Sequence, residues 1–370
     1  MTAVLSKLTV PVQVLKELVT NASKCATNDS DAPLTSLMNI KVKDNKLSVK
    51  TTDNKDYMTM YADIESEDFE VMVEAKKTTE LISKLTSQTV SLTSDGSVVT
   101  VLTNNSEHYL QAVSDVGGEA LSFNEPEVVA TGSTCHISLN ELRSILLLNK
   151  ACKGDKSVVP ACAFNYYADS ERVITTNMFK ACSNPVALAD RPTLIPAFIM
   201  ELALPIADES GIDFYQNDTH IVFESTRGRV VGVKLDSAEL DEFPAAPLVD
   251  LISSPLATSV QVNRSDFSKA LERMCLFVNP FENNKLQLTF GSDTLKLYDT
   301  KTKSTERLSY IATQTPITED ISLAVDGQFL KNQILACDKE TLLVRVDATV
   351  GIQIKCGDTT FMLSVLAENE

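Results

Sequence analysis

The apolar positions along the chain fall into a pattern that is written three times. Val325 opens a run in which Phe329, Leu330, Ile334 and Leu335 have helical spacing, and an alternating stretch at Leu342, Val344 and Val346 follows. Val73 opens the same series, with Leu81, Ile82 and Leu85 and then Val90 and Leu92. Ile195 opens it again, with Phe198, Ile199 and Leu202 and then Ile212 and Phe214. The interval from opener to strand is 17 residues each time (73 to 90, 195 to 212, 325 to 342). The other half of the unit also recurs. Val10, Leu15, Lys16, Leu18 and Val19 correspond to Ile137, Leu142, Arg143, Ile145 and Leu146, 127 residues on, and to Val262, Phe267, Ala270 and Leu271, a further 125 on. A fixed long period means one structural unit used repeatedly, here helix, strands, helix, strands over about 120 residues.

Within the first unit the pattern predicts a strand at 6–10 and a helix at 12–26. Alternating strands follow at 37–42, 46–51 and 57–64, then a helix at 75–85 and strands at 90–93, 98–103 and 107–113. The acidic run Asp63, Glu65, Glu67, Asp68 and Glu70 reads as a solvated loop, because it has no histidine partner and no calcium-loop spacing. Residues 114–132, with Gly117, Gly118 and Pro126, read as a linker. The second unit is expected to have helices at 139–153 and 191–204, with Pro196 early in the latter. Its strands fall near 161–167, 172–176, 212–215, 221–225 and 229–235. Residues 236–255, with Pro244, Pro247 and Pro255, read as a second linker. The third unit starts with a helix at 265–276, then a hairpin at 286–298 and an edge strand at 307–313. Residues 367–370 read as a polar tail.

Composition narrows the function. The 370 residues carry a formal charge of −17 and no Trp, with 6% aromatic residues. That balance argues against a protein that coats nucleic acid nonspecifically or adheres to anionic lipid, and the lack of aromatics argues against base-stacking platforms. The eight cysteines include no C-x-x-C pair, so they support neither a zinc ribbon nor a thioredoxin-like site, and no metal or cofactor is expected. Charges at Lys7, Lys16 and Glu17 break up the first twenty residues, so no signal peptide is expected, and a reduced cytoplasmic compartment is. Three histidines, no nucleophile elbow and no phosphate-binding loop leave no catalytic constellation, so the protein is expected to be no enzyme.

Three tandem units of this kind, acidic overall but with basic residues on their helices, resemble the bacterial DNA polymerase III β subunit, the sliding clamp. Local runs carry the resemblance. Val73-Glu-Ala-Lys-Lys with Leu81 and Leu85 is similar to the start of the second helix in that family's first domain. Leu240-Asp-Glu-Phe-Pro is similar to its F-P linker before the third domain, and Val325-Asp-Gly-Gln-Phe-Leu to a helix start in the third domain. The chain departs from the family at Thr176-Asn-Met-Phe-Lys, where D-G-H-R-L is usual, and at Leu363-Ser-Val-Leu, where M-P-[MV]-R is usual, as a divergent and even phage-encoded member would.

The resemblance implies an α+β fold of three tandem clamp-like domains (1–120, 121–250 and 251–370). Each would have two helices packed on antiparallel sheets, and the chain would form half of a closed ring. It implies a processivity factor that encircles duplex DNA without reading sequence and tethers the replicative polymerase. DNA-facing cations would be Lys16, Lys24, Lys76, Lys77, Lys84, Arg143, Lys150, Lys153, Arg264, Lys269, Arg273 and Lys331. A pocket for a short linear motif of polymerase and clamp loader would use Val159, Thr175, Asn177, Met178, Phe179, Lys180, Pro244, Val249, Phe281, Phe361, Leu363 and Val365. A head-to-tail homodimer would join through Glu107, Tyr109 and Leu110 on one side and Cys275, Leu276, Lys301 and Lys303 on the other. The competing reading is a non-enzymatic β-rich repeat protein of structural or assembly function.

Overall fold

The computed structural model describes residues 6–27, 32–116, 119–152, 159–314 and 316–366. Among these are eight α-helices: α1 (Val12–Ala22), α2 (Ala75–Lys84), α3 (Leu139–Cys152), α4 (Ala197–Ile206), α5 (Ser237–Glu242), α6 (Ala245–Ser253), α7 (Arg264–Met274) and α8 (Gly327–Ala336). Every strand pairing between named strands is antiparallel, so the fold is α+β. The chain divides into two compact units, Met1–Leu142 with Phe198–Lys234, and Arg143–Ala197 with Leu235–Glu370.

The first unit holds a four-stranded sheet, in the order Ser6–Pro11, Thr89–Ser94, Val98–Leu102, Glu107–Gln111. It also holds an eight-stranded sheet, Cys135–Ile137, Ile212–Gln216, His220–Ser225, Gly228–Val233, Tyr57–Asp63, Lys46–Thr52, Leu37–Lys43, Phe69–Glu74. The period-3.6 stripe of α1 buries Val12, Leu15, Leu18, Val19 and Ala22, and α2 beside it buries Ala75, Thr78 and Ile82.

The second unit holds a nine-stranded sheet, Thr193–Pro196, Asn165–Ala168, Val173–Thr176, Lys180–Asn184, Thr359–Ser364, Gly351–Cys356, Thr341–Asp347, Thr258–Asn263, Ala312–Thr313. Its four-stranded sheet runs Thr305–Ser309, Thr294–Tyr298, Lys285–Phe290, Ile321–Asp326. Helices α7 and α8 begin where the sequence offers a cap: Asn263 accepts from the amide of Asp266, and Asp326 from that of Phe329.

Each large sheet is two half-sheets from successive repeats joined at a seam, four strands with four in the first and four with five in the second, where Ala312–Thr313 is the added edge strand. At the first seam Gly228, Arg229, Val230 and Val231 face Met60, Thr59, Met58 and Tyr57. At the second, Lys180, Ala181, Cys182 and Ser183 face Leu363, Met362, Phe361 and Thr360. The approach at the first seam is close: a Cβ on Gly228 would meet the carbonyl oxygen of Thr59 at 2.5 Å.

The segment after each of the first two repeats lies over the seam that follows it. Val128 packs on Val222 and Val231, and Glu125 pairs with Lys50 (2.7 Å) and Arg229 (3.6 Å). Over the second seam lie α5 and α6, where Phe243, Leu248 and Ile252 cover Ile174, Ala181 and Met362.

Several sequence expectations are corrected. The second helix of the middle repeat starts at Ala197, not 191, because Thr193–Pro196 is a fully paired strand. The 236–255 segment is two helices: Asp236 and Glu239 form a capping box for α5, and the i, i+4 pair Leu248 and Ile252 gives α6 a buried face. Glu70 belongs to the Phe69–Glu74 strand and accepts from Asn39 (3.1 Å) and Lys41 (2.7 Å), so the loop ends before it. The third-repeat edge strand is Thr305–Ser309, with Ala312–Thr313 a separate piece on the other sheet. The tail at 367–370 lies outside the described residues.

One half-buried carboxylate makes this fold pH-sensitive. Asp56 accepts from the amide of Val233 (2.9 Å), but burial pushes its carboxyl up to about 6. Its folded pKa exceeds the unfolded one, so the stabilisation from holding it neutral is complete below about pH 4 and is lost as pH rises through about 6. Asp56→Asn, which keeps the acceptor, is expected to raise stability by about 1–3 kcal/mol at pH 7.5 and by little at pH 4. Urea unfolding at both pH values checks this, and an equal effect at both would refute it.

Candidate nucleic-acid and partner-binding surfaces

The predicted cations differ in how free they are. Lys76, Lys77 and Lys84 are exposed on α2, as are Arg143 on α3 and Lys269 on α7. Lys24, also exposed, donates to Asn21 Oδ1 (2.9 Å) just after α1. Lys16 is half-buried and donates to the carbonyl of Ser83 (2.7 Å), so it ties α1 to the end of α2. Arg273 makes a two-point contact with Glu306 (2.6 and 2.9 Å), which neutralises most of its field. Arg264 and Lys331 are half-buried, and the Arg264 amide donates to the carbonyl of Glu340. The Lys150 side chain and all of Lys153 lie outside what the structure describes. The outward positions of α4 are Phe198, Glu201 and Leu204, so this helix offers no cation at all.

The predicted pocket residues divide between the two faces of the nine-stranded sheet. Strand alternation puts Ile174, Thr176, Ala181, Ser183, Thr360 and Met362 on the face under α5 and α6. Thr175, Lys180, Cys182, Phe361 and Leu363 are on the opposite face, where Cys182 donates to the carbonyl of Leu148 and the Lys180 ammonium lies 3.9 Å from the Phe329 ring centroid. Val159 and Val249 each pack against the apolar cluster under α5 and α6, and Pro244 precedes the start of α6. Val365 is half-buried just past the last strand, and Phe281, in the Pro280–Glu282 turn, is 98% exposed.

Asn177, Met178 and Phe179 form a hairpin tip beside the second seam. Asn177 is buried and its Oδ1 accepts from the amides of Phe179 (3.1 Å) and Lys180 (3.0 Å). Met178 has φ 75°, a conformation that favours glycine, and it touches Cys162 sulfur to sulfur at 3.7 Å. Phe179 is 52% exposed, while its carbonyl accepts from the amide of Ser364 (2.9 Å). A strained backbone that holds apolar side chains outward suits a contact surface better than a core.

The residues proposed for self-association lie on open sheet edges. Glu107–Gln111 ends one four-stranded sheet, with Tyr109 61% exposed and Leu110 buried. Thr305–Ser309 ends the other; Arg273 ties α7 to it through Glu306, and Leu276, just past α7, is 79% exposed. Cys275 is half-buried, with its thiol donating to the Gly327 carbonyl. Lys301, paired with Glu282, and Lys303 stand in the hairpin before this strand.

Elsewhere, His136 is held between Asp213 Oδ1 (2.8 Å) and the carbonyl of Ser210 (3.0 Å), and the Asp213 carboxylate raises its pKa. Among the described residues no group of His, Cys, Asp and Glu is arranged to hold a metal ion. No helix among them is long and apolar enough to cross a membrane.

Residues 6–117 match the profile of the family described as DNA polymerase III beta subunit, N-terminal domain. The first repeat is thus similar to that family's N-terminal domain. The fold agrees along the length of the chain. The DNA polymerase III β sliding clamp of Bartonella birtlesii is 15% identical, with a TM-score of 0.82 over 98% of this chain and 100% of that one. The β subunit of Thermotoga maritima is 16% identical, with a TM-score of 0.81 over the same shares. The clamp of Bacillus subtilis is 14% identical, with a TM-score of 0.81 over 99% and 100%. A search of curated proteins found no match.

Sequence reading missed the Lys180–Asn184 strand, Gln353 and Phe243. The strand K-A-C-S-N is polar yet wholly buried, and no periodicity marks it. Gln353 is 1% exposed and donates to the carbonyls of Ile252 (2.9 Å) and Ser254 (3.1 Å), so it fastens the end of α6. Phe243 stacks on Tyr167 at 5.2 Å and fastens its start.

Proposed function

We propose that this chain is a divergent sliding clamp and processivity factor, two copies of which close head to tail around duplex DNA and act in the cytoplasm without catalysis, as a tether for polymerase. The observation that carries the reading is the pair of unfilled edges. In the first seam the row of facing residues is Lys50, Thr59, Arg229, Glu224. In the second, the equivalent row is Ile174, Ser183, Thr360, Lys355. The remaining half-sheets hold the two halves of a third such row, Tyr298 with Thr305 and Leu102 with Glu107. Completing it sets Thr305 of one copy opposite Glu107 of the next. That contact is heterologous, so it must close into a ring or grow into a filament. Three repeats per chain make six in a dimer.

The three-repeat division into 1–120, 121–250 and 251–370 belongs to this proposal, as do the DNA-facing cations. Exposed lysines that meet only phosphates attract duplex without reading bases, which is what sliding requires. The best candidates are Lys76, Lys77, Lys84, Arg143 and Lys269, since Lys16 and Arg273 are already engaged within the chain. The partner groove, in turn, is best supported at the rim formed by Val159, Met178, Phe179, Pro244 and Val249, with a polymerase or loader peptide as its occupant.

Three outcomes test this. Glu107→Cys with Thr305→Cys should give a denaturant-resistant dimer with a short bismaleimide, while either single variant gives none. Monomer alone from the double variant would rule out the edge pairing. Charge reversal at Lys76, Lys77 and Lys84 together should cut retention on nicked circular DNA by about tenfold with Tm unchanged. Retention equal to the parent would remove α2 from the DNA path. Phe179→Ala should keep the melting temperature while weakening a polymerase peptide by about tenfold, the scale of a lost anchor. A variant that unfolds with peptide affinity intact would assign Phe179 to the core.

A further inference from the structure

We propose that the second seam carries a carboxylate-binding pocket, and that it receives an acidic side chain of the same partner peptide whose apolar anchors lie along α6. The inference rests on the groove reading above and deepens it. A cavity of about 200 Å³ lies at the end of α6, between Arg172, Arg345 and Lys355, with Ser183, Ser253 and Thr360 in its wall. Three cations converge there against one lining carboxylate, Asp358, in a chain whose net charge is −17.

The first seam supplies the precedent. There the equivalent row holds an acid from the chain itself: Glu125, with its side chain only 12% exposed, on Lys50 and Arg229. At the second seam the same row is Ile174, Ser183, Thr360 and Lys355, and the covering segment is α5 and α6, which sends no carboxylate into the cavity. The cations have been rearranged, with Lys355 where the first seam has Glu224 and with Arg345 and Arg172 at either side.

Two of the three cations also have structural work. Arg345 donates to Gln353 Oε1 (2.9 Å), whose amide fastens the end of α6. Arg172 donates to Ser253 Oγ (3.3 Å) and pairs with Glu171 (3.0 Å). Lys355 is exposed and has no ion-pair partner among the described residues. It is therefore the free charge of the pocket and the position to change.

Reach favours one peptide for both sites. Ile252 lines the cavity and belongs to the apolar cluster, and Val249 of the groove rim precedes it by less than one helical turn. That step is about 5 Å along the axis, or roughly two residues of extended peptide. An acid so placed would add specificity as well as affinity, because the rest of this acidic surface repels it.

The test is fluorescence anisotropy with three labelled short peptides that share Leu and Phe anchors. One carries a glutamate pair on the amino side, one on the carboxyl side, and one has glutamines in both places. One glutamate peptide is expected to bind about tenfold more tightly than the glutamine peptide, with an advantage that shrinks in salt and disappears in Lys355→Glu. Equal affinity for all three, or a gain that survives Lys355→Glu, would overturn the acid pocket while leaving the groove intact. No binding by any peptide, with Phe179→Ala indistinguishable from the parent, would overturn the groove itself. Inorganic phosphate is the last probe: Lys355-dependent phosphate binding with no gain for either glutamate peptide would show a site for free anions and overturn the peptide assignment.

Discussion

An open β-sheet edge is a row of unpaired amides and carbonyls, and this fold is organised by the need to pair them. Each repeat contributes two half-sheets, four-stranded except for one in the third repeat that gains Ala312–Thr313 as a fifth strand, and within the chain a half-sheet of one repeat is completed by a half-sheet of the next. Two such completions happen inside the chain, at Gly228–Val231 against Tyr57–Met60 and at Lys180–Ser183 against Thr360–Leu363. The helices, caps and covering segments follow from this arrangement. Each covering segment lies over a seam because a freshly joined sheet has an apolar face to bury there.

The two seams are chemically different although they are topologically equivalent. The first is covered by a polar strap anchored through Glu125, the second by two helices anchored through Phe243 and Gln353. Helices give an apolar rim with a firm shape, and Met178 touches Cys162 of the cluster beneath them. Gln353 joins the third repeat's sheet to α6, so the end of that helix and the cationic cavity share one support.

Much of this was legible in the sequence. The 17-residue intervals found all three strand openers, and Val12, Leu15, Leu18 and Val19 marked α1 through simple periodicity. What was not legible has specific causes. Lys180–Asn184 is buried on both faces with polar side chains satisfied by neighbours that sequence cannot reveal. Prolines at 244, 247 and 255 suggested an irregular linker, but Pro244 precedes α6, Pro247 falls in its first turn, where the missing amide costs little, and Pro255 follows its end. Counting along the C-terminal strand did not show which residues meet α6: Met362 and Thr360 do, while Phe361 and Leu363 face the other way.

Because the seams are made by main-chain groups, their geometry survives almost any change of side chain, which is how the fold persists at 15% identity to a known clamp. The same blindness has a cost for assembly. Backbone amides at Glu107–Gln111 cannot tell a second copy of this chain from any other strand edge of the same shape. Discrimination must come from the few side chains at the rims, Tyr109 and Glu107 on one edge and Leu276, Lys301 and Lys303 by the other. In the proposed ring, those positions decide whether the chain closes on its own kind or on another partner.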